Sequence, residues 1–407
     1  MTTNMRQRAF NVAWIPSRRV EYLYYFVVFY SVVSPFLDIE VPLVAAGTTV
    51  GLAGYCYTRM GSRAKKVFAP IGFLLACILS FMLVQIVAHG VHIRDPIIRS
   101  FILLICGMII VQSLCLQSGF LRRCTIVVFV IGLIAVPYLI STAGERAAAG
   151  VQIGGGMQNP GGLAYWFGFC LVSFAILGLE AKQGTVRILY WLAAIGCLFI
   201  VGLTVTRGAL IASAIALTVG FRGLLRRGFV PVLVLIILTG VIFESGLFNQ
   251  AISHYTDRGT EETGREGLWP LAIERTLASP LTTFIGVGMS NVAIDISGYA
   301  PPHNSFLFFA LSSGIVPFAF WVFFWIQAGL RSFSHIEPLK YGSFRIPFLL
   351  YIFVHSMLND IGTETWVLLT LCVGAGSGVS QHLLVVRRTR DPRTAQSPGP
   401  PSKAANL

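Results

Sequence analysis

The sequence predicts an all-α protein that crosses a membrane many times. Of its 407 residues, 55% are hydrophobic and only 12% are charged, and the mean hydropathy is +0.74. A water-soluble protein of this size needs far more charge to cover its surface. The apolar residues also form continuous runs of about 18 to 25 residues, which is the length that crosses a hydrocarbon core of about 30 Å. Because backbone groups inside lipid must bond to one another, each run is expected to be a helix.

About twelve such runs are present along the chain. The first two form a tight hairpin, because only Ile39 and Glu40 separate them. The eighth run is short and the tenth is long, which indicates tilt or a mismatch with the bilayer. The first run lacks the small-residue site at which a signal peptide is cleaved, so it is expected to remain as an anchor. The predicted spans are 20–38, 41–57, 67–88, 96–116, 124–141, 161–179, 187–204, 208–221, 229–247, 304–330, 346–360 and 364–386.

The charges of the connecting loops predict the orientation of the chain. Assigning the loops alternately to the two sides puts 23 of the 30 Lys and Arg residues on one side, together with 4 of the 17 acidic residues. Basic loops remain in the cytoplasm, so this side, with both termini, is expected to be cytoplasmic. The excess of positive charge therefore reflects topology and contact with anionic lipid, and nucleic acid is not expected as a partner.

The chain is expected to form one transmembrane domain over residues 1–386, followed by a disordered cytoplasmic tail over residues 387–407. The tail is basic and rich in proline, a composition that does not build a packed core. On the outward side, the loop 248–303 is the only sizeable one, and its helix-like stretch from Glu266 to Leu277 predicts order. The eight cysteines lie in or beside the spans without a C-x-x-C motif, so disulfides and a zinc site are not expected.

Arg207 is the first candidate for a functional residue. It lies in the sequence Thr-Val-Thr-Arg-Gly-Ala, which joins two spans on the outward side with almost no loop. A guanidinium group at the membrane boundary is suited to bidentate contact with a lipid-linked phosphate. The alternative is an arginine whose charge simply reaches the interface while its stem stays in lipid.

The large outward loop carries a second arginine. Arg265 precedes Glu266 and Trp269 in the sequence Gly-Arg-Glu-Gly-Leu-Trp, and a Gly-Val-Gly sequence follows at 286–288. Arg265 is a candidate for anion binding, with Arg258 nearby in the same acidic stretch. The alternative is a solvated network of ion pairs, which contributes little to stability.

His303 stands directly before the predicted tenth span, in the sequence Pro-Pro-His-Asn-Ser. Histidine can accept a proton near neutral pH, and the start of a helix favours an anion. Asn304 or Ser305 is well placed to cap the helix that follows. The alternative is that His303 belongs to the cap and has no chemical role.

Arg146 precedes a glycine-rich segment that ends at Asn159 and Pro160. Glycines allow backbone N–H groups to approach a phosphate, although they equally form a plain flexible loop.

His89, His92 and Asp95 have side chains that can bind a metal and lie on one short loop, but no other feature of the sequence supports a metal site there. Near the last outward turn lie four further polar residues, for which helix–helix hydrogen bonding is the alternative to function: His355, Asn359, Asp360 and Glu364.

The order of these motifs resembles the O-antigen ligase and polymerase superfamily. The resemblance covers residues 142–330: the turn with Arg207, the long loop with Arg265 and Trp269, the later Gly-x-Gly, and Pro-x-His-Asn-Ser with Gly314 eleven residues after His303. Chain length and loop placement are most similar to O-antigen ligases. The resemblance implies a GT-C-type glycosyltransferase that needs no metal or other cofactor and inverts the anomeric configuration.

The resemblance also implies substrates and roles. The donor would be a glycan on undecaprenyl pyrophosphate, and the acceptor a sugar hydroxyl of the lipid A–core, both on the periplasmic face of the bacterial inner membrane. Arg207, Arg265 and Arg146 would bind the pyrophosphate, and His303 would be the base, with Glu266 as the weaker choice. Arg265 would also act in catalysis, and Asn304, Asn159 and Trp269 would support the site.

Two other functions remain as alternatives. A polymerase of the same superfamily would join glycan repeats; the spacing of Arg207 and Gly223 is typical of polymerases, but a membrane span separates these two residues. A transporter or flippase would place ionisable groups at mid-membrane depth and use paired broken helices. Here the charged groups gather at the outward face, which favours an enzyme.

Overall fold

The computed structural model describes an all-helical arrangement. Every regular element within the described part is a helix. The described residues are 16–37, 42–59, 69–92, 96–115, 117, 119–137, 160–204, 206–220, 265–292, 302–333, 345–359 and 367–374. In chain order the helices are α1 (Arg18–Leu37), α2 (Pro42–Arg59), α3 (Ala69–Val87), α4 (Pro96–Leu114), α5 (Phe120–Leu133), α6 (Pro160–Glu180), α7 (Gly184–Leu203), α8 (Arg207–Gly220), α9 (Arg265–Leu277), α10 (Pro280–Ile285), α11 (Ser305–Ser313), α12 (Ile315–Phe333) and α13 (Arg345–Leu358).

Two helices of the described part are long and apolar enough to cross a membrane, Gly161–Glu180 and Gly184–Leu203. Residues 367–374 are helical as well, and the predicted ninth span, 229–247, lies outside the described residues. The loop helix expected at Glu266 to Leu277 is confirmed as α9. Shorter apolar helical stretches are Gly72–Val87, Phe101–Leu114, Arg207–Gly220, Ile315–Leu330 and Ile346–Leu358.

The outer faces of several helices consist of large apolar side chains. On α3, Leu79 and Leu83 are 56% and 64% exposed, and on α7, Leu189 and Leu192 are each 59% exposed. Water-soluble proteins rarely expose contiguous apolar surfaces of this kind. Because apolar side chains are stable in hydrocarbon, such faces suit contact with lipid.

Helix α6 is the centre of the bundle. Almost all of its residues are buried, and it contacts α5, α7, α8 and α13. Its Trp166 is fully buried and donates a hydrogen bond to the carbonyl of Val128 on α5 at 2.9 Å. The polar atom of this indole is therefore satisfied inside the apolar interior.

A buried ion pair joins α1 to α5. The carboxylate of Glu21 is fully buried, and Arg123 donates to its two oxygens at 2.7 and 2.8 Å. The hydroxyl of Tyr25 also donates to it, at 2.6 Å. A bidentate arginine with an added hydrogen bond is the arrangement that compensates best for removing a carboxylate from water.

The predicted tenth span, 304–330, is wrong as a single helix. The structure divides it at Gly314 into α11 and α12. Gly314 has φ 81, and a Cβ there would overlap the backbone of Phe284 at the end of α10. A left-handed backbone and close approach of a second chain segment both require glycine. The break thus lets the large outward loop pack directly against the bundle.

Candidate functional site

The segment that carries His303 is fixed by a helix cap. The side-chain oxygen of Asn304 accepts hydrogen bonds from the backbone N–H groups of Phe306 and Leu307, at 2.9 and 3.3 Å. Asn304 is therefore the N-cap of α11, which confirms one of the two residues expected there. His303 is half-buried and has φ 49, a left-handed conformation that is uncommon for residues other than glycine. The cap and its flanking contacts hold the histidine in this conformation.

Helix α9 of the outward loop is tied to the same segment. The indole N–H of Trp269 donates to the carbonyl of Pro302 at 2.9 Å, and α9 packs against α11. Leu268, Ala272 and Thr276 form the side of α9 that is turned toward the protein, where Ala272 is fully buried. Arg265 is the first residue of α9, one helical turn before Trp269. The start of α9 therefore lies next to the His303 segment.

Helix α13 connects this segment to Arg207. The hydroxyl of Ser305 donates to the carbonyl of Asn359 at 2.9 Å, immediately after the end of α13. The preceding residue, Leu358, lies against the start of α8: a Cβ on Gly208 would be 3.6 Å from the Cβ of Leu358. Arg207, which is half-buried, is the first residue of α8. The Arg207 turn and the His303 segment are thus neighbours of the same end of α13.

The starts of three helices are connected through their neighbours: α9 packs against α11, and the starts of α8 and α11 both adjoin the same end of α13. Helix α8 begins at Arg207, α9 at Arg265 and α11 at Ser305, and each start carries a motif singled out from the sequence. The first backbone N–H groups of a helix have no partner within it, and the helix dipole places a partial positive charge there. At α11 the side chain of Asn304 already accepts hydrogen bonds from two of these N–H groups. The starts of α8 and α9, which also carry the arginines, are therefore the ones suited to an anion.

A buried aromatic cluster supports the Arg207 turn from within the bundle. The ring of Tyr165 stacks on that of His355 with centroids 3.6 Å apart and planes 16° from parallel. The hydroxyl of Tyr351 donates to the carbonyl of Tyr165. The hydroxyl of Tyr165 occupies the position that a Cβ on Gly208 would take. His355 accordingly packs between helices by ring stacking, while the helix–helix hydrogen bonding expected for it stays a prediction.

The outward end of α3 holds the other side of the loop. The amide nitrogen of Gln85, which is fully buried, donates to the carbonyl of Ser312 at 2.8 Å and to the hydroxyl of Ser313 at 2.7 Å. Its oxygen accepts from the backbone N–H of Met289 at 3.0 Å. Gln85 therefore joins α3, α11 and the loop. Sequence reasoning missed it, because an isolated glutamine in an apolar run gives no signal of its partners.

His89 has a structural position in the same region. Its Nε2 lies 3.0 Å from the carbonyl oxygen of Ile285, and its ring packs against Gly288. Asp95, one of its proposed companions in a metal site, lies outside the described residues. Among the side chains that are described, no three of His, Cys, Asp or Glu are grouped to hold a metal ion.

Several residues expected at the site lie outside the part of the chain that the structure describes. Arg146, Asn159, Asp360 and Glu364 are among the residues that are not described. Of Arg265 and Glu266 only the backbone is described, so their side-chain roles stay predictions.

No protein-family model matches the sequence, and no curated protein is significantly similar to it.

Proposed function

We propose that this protein is a glycosyltransferase of the bacterial inner membrane that transfers O-antigen glycan from undecaprenyl pyrophosphate to the lipid A–core. The fold would be of the GT-C type with about twelve spans, both termini in the cytoplasm and the site facing the periplasm. The all-helical architecture and the exposed apolar helix faces support a membrane location. The sequence motifs support the chemistry, together with the contacts of the Arg207 turn and the His303 segment at the end of α13.

The reaction exchanges one bond at the anomeric carbon for another. The carbon–oxygen bond to the pyrophosphate breaks, and a bond to the acceptor hydroxyl oxygen forms from the opposite face, which inverts the configuration. The pyrophosphate departs with the bonding electron pair, and the proton of the hydroxyl passes to a base. Atoms and charge balance without an oxidant, reductant or cofactor.

The observation that carries this proposal is that the Arg207 turn and the His303 segment both adjoin the same end of α13. The leaving group is a pyrophosphate, and its negative charge increases as the glycosidic bond breaks. Arg207 and Arg265, each the first residue of a helix, combine a fixed charge with the partial positive charge of the helix start. Donors that are already in place where charge develops are the most effective means of stabilising a transition state. Arg146 is proposed as a third contributor.

His303 is proposed as the base that receives the acceptor proton. It is half-buried and directly precedes the capped start of α11. The Asn304 cap and the Trp269–Pro302 hydrogen bond hold the backbone on either side of His303. A base carried on a fixed backbone needs less reorganisation as the proton moves.

The test is transfer by the purified protein between a lipid-linked glycan and a lipid A–core acceptor in detergent or vesicles. Arg207→Ala, Arg265→Ala and His303→Ala should each reduce the rate by about 10² to 10⁴ while the proteins remain folded. Arg275→Ala, an exposed arginine of the same loop helix, is the matched control and should retain activity. A chelator should have no effect.

Two outcomes would contradict the proposal. A strict requirement for a divalent cation would remove the role given to the arginines. Full activity of both the His303→Ala variant and the Arg207→Ala variant would show that other residues carry out the reaction. Replacing the core acceptor by a second lipid-linked glycan separates the two superfamily activities, since a polymerase would use it and a ligase would not.

A further inference from the structure

The loop helices α9 and α10 each carry exposed apolar side chains that their packing on the protein does not use. Within each helix these residues recur every three or four positions, the spacing that places them on one side, and a bend at Ala278 and Ser279 joins the two helices. Together they are called the stripe. Three of them are more exposed than buried: Leu277 at 65%, Leu281 at 67% and Phe284 at 61%. The stripe consists of Pro270, Ile273, Leu277, Leu281 and Phe284.

This stripe is distinct from the side of α9 that packs on the protein. Ala272 and Thr276 are buried against the bundle, whereas Ile273 and Leu277 are 49% and 65% exposed. The exposed Glu274 and Arg275 lie on the remaining side, together with Leu271, which is 46% exposed. A helix with a buried side, an apolar exposed side and a charged side suits a boundary between protein, hydrocarbon and water. In water alone, large apolar side chains in a row would be unfavourable.

The stripe continues into the apolar face of a long helix of the bundle. The backbone of Phe284 lies against Gly314, and α10 packs on α12. Directly after Gly314, Ile315 and Val316 are exposed at 38% and 44%. From there the exposed face runs along α12, a helix of about 28 Å, through the residues Phe323, Ile326 and Leu330.

We propose that the segment from Arg265 to Ile285 lies in the outer membrane–water interface, with the stripe among the acyl chains of the outer leaflet. The occupant of the stripe is lipid, because the stripe adjoins the exposed apolar face of α12 and a bilayer that covers that face also reaches the stripe. The inference rests on the proposed membrane location and is independent of the proposed chemistry. It places the starts of α9 and α11 at the depth of the lipid phosphates.

Spin-label accessibility in vesicles tests this placement. Leu277→Cys and Leu281→Cys are labelled in the full-length protein reconstituted into phosphatidylcholine–phosphatidylglycerol vesicles, with Arg275→Cys as the control on the same loop. Seven of the eight native cysteines are buried and Cys106 is partly buried, so little label should attach to them. The labelling of the wild-type protein measures this background. Collision rates with oxygen, which concentrates in lipid, and with a nickel chelate, which stays in water, are then compared.

At positions 277 and 281 we expect oxygen collisions at least several times more frequent, relative to the chelate, than at position 275. Equal access of the chelate to all three positions would overturn the proposal, since the stripe would then lie in water. Protection from both reagents would also overturn it and would indicate a protein partner or a second copy of this chain. Glycan transfer by the same variants is measured in parallel, so that a failure of the proposed reaction is separable from a failure of the placement.

Discussion

Substitution of Gly208 by alanine tests whether the Arg207 turn depends on the aromatic cluster beneath it. A Cβ on Gly208 would overlap the hydroxyl oxygen of Tyr165, while the next nearest atoms would be Tyr165 Cζ at 3.4 Å and Leu358 Cβ at 3.6 Å. The hydroxyl must therefore move by roughly 1 Å to restore an ordinary contact. Tyr165 is almost fully buried and its ring is stacked on His355, so it has little freedom to move.

We expect Gly208→Ala to lower the free energy of unfolding by about 1–3 kcal/mol, the usual cost of overpacking a buried site. It should also reduce glycan transfer, because the first turn of α8, which carries Arg207, must shift. The second substitution Tyr165→Phe removes the overlapping atom and leaves the 3.4 Å contact, which is tolerable. Tyr165→Phe alone should cost about 1 kcal/mol for changes in hydrogen bonding.

The measurement is a double-mutant cycle by equilibrium unfolding in mixed micelles. The double variant Gly208→Ala/Tyr165→Phe should lose less free energy of unfolding than the two single variants lose together, by a coupling energy of about 1–2 kcal/mol. Gly196→Ala is the matched control, because nothing lies within 4 Å of a Cβ there. Additive effects, or a Gly208→Ala protein as stable as Gly196→Ala, would refute the reasoning.

Two further substitutions test the contacts that hold the site. Asn304→Ala removes the acceptor for the two N–H groups at the start of α11 and should cost about 0.5–2 kcal/mol, while Asn304→Asp, which keeps an acceptor, should retain most of the stability in the same unfolding assay. Gln85→Leu removes the hydrogen-bond partner that Gln85 provides to the Met289 N–H and the Ser312 carbonyl. Limited proteolysis of the loop should therefore become faster. An unchanged cleavage rate would show that Gln85 does not hold the loop.

Much of the helical content could be predicted from hydropathy and local signals. The starts of α8 and α11 agree with the expected spans within a few residues, because a helix in lipid is determined by a run of apolar side chains. The cap at Asn304 and the loop helix α9 were predictable from a few neighbouring residues. These features depend on interactions within one turn of the chain.

Contacts between distant residues could not be predicted in this way. The hydrogen bond from Gln85 to Ser313 joins residues 228 positions apart. The close approach of Phe284 to Gly314 divides into two helices an apolar run that hydropathy predicts as one span. Neither interaction leaves a trace in the residues immediately around it. The error in the tenth span has this cause.

The sequence by itself determined that the chain is helical, where several helices begin and that Asn304 caps α11, since these follow from local composition. Only the tertiary structure brought the starts of α8 and α11 to the same end of α13, and α9 against α11. Hydropathy specifies that a helix buries its apolar surface, but many partners would satisfy that requirement equally. The choice among them is made by close packing and by a few buried hydrogen bonds, which exist only when all the helices are in place.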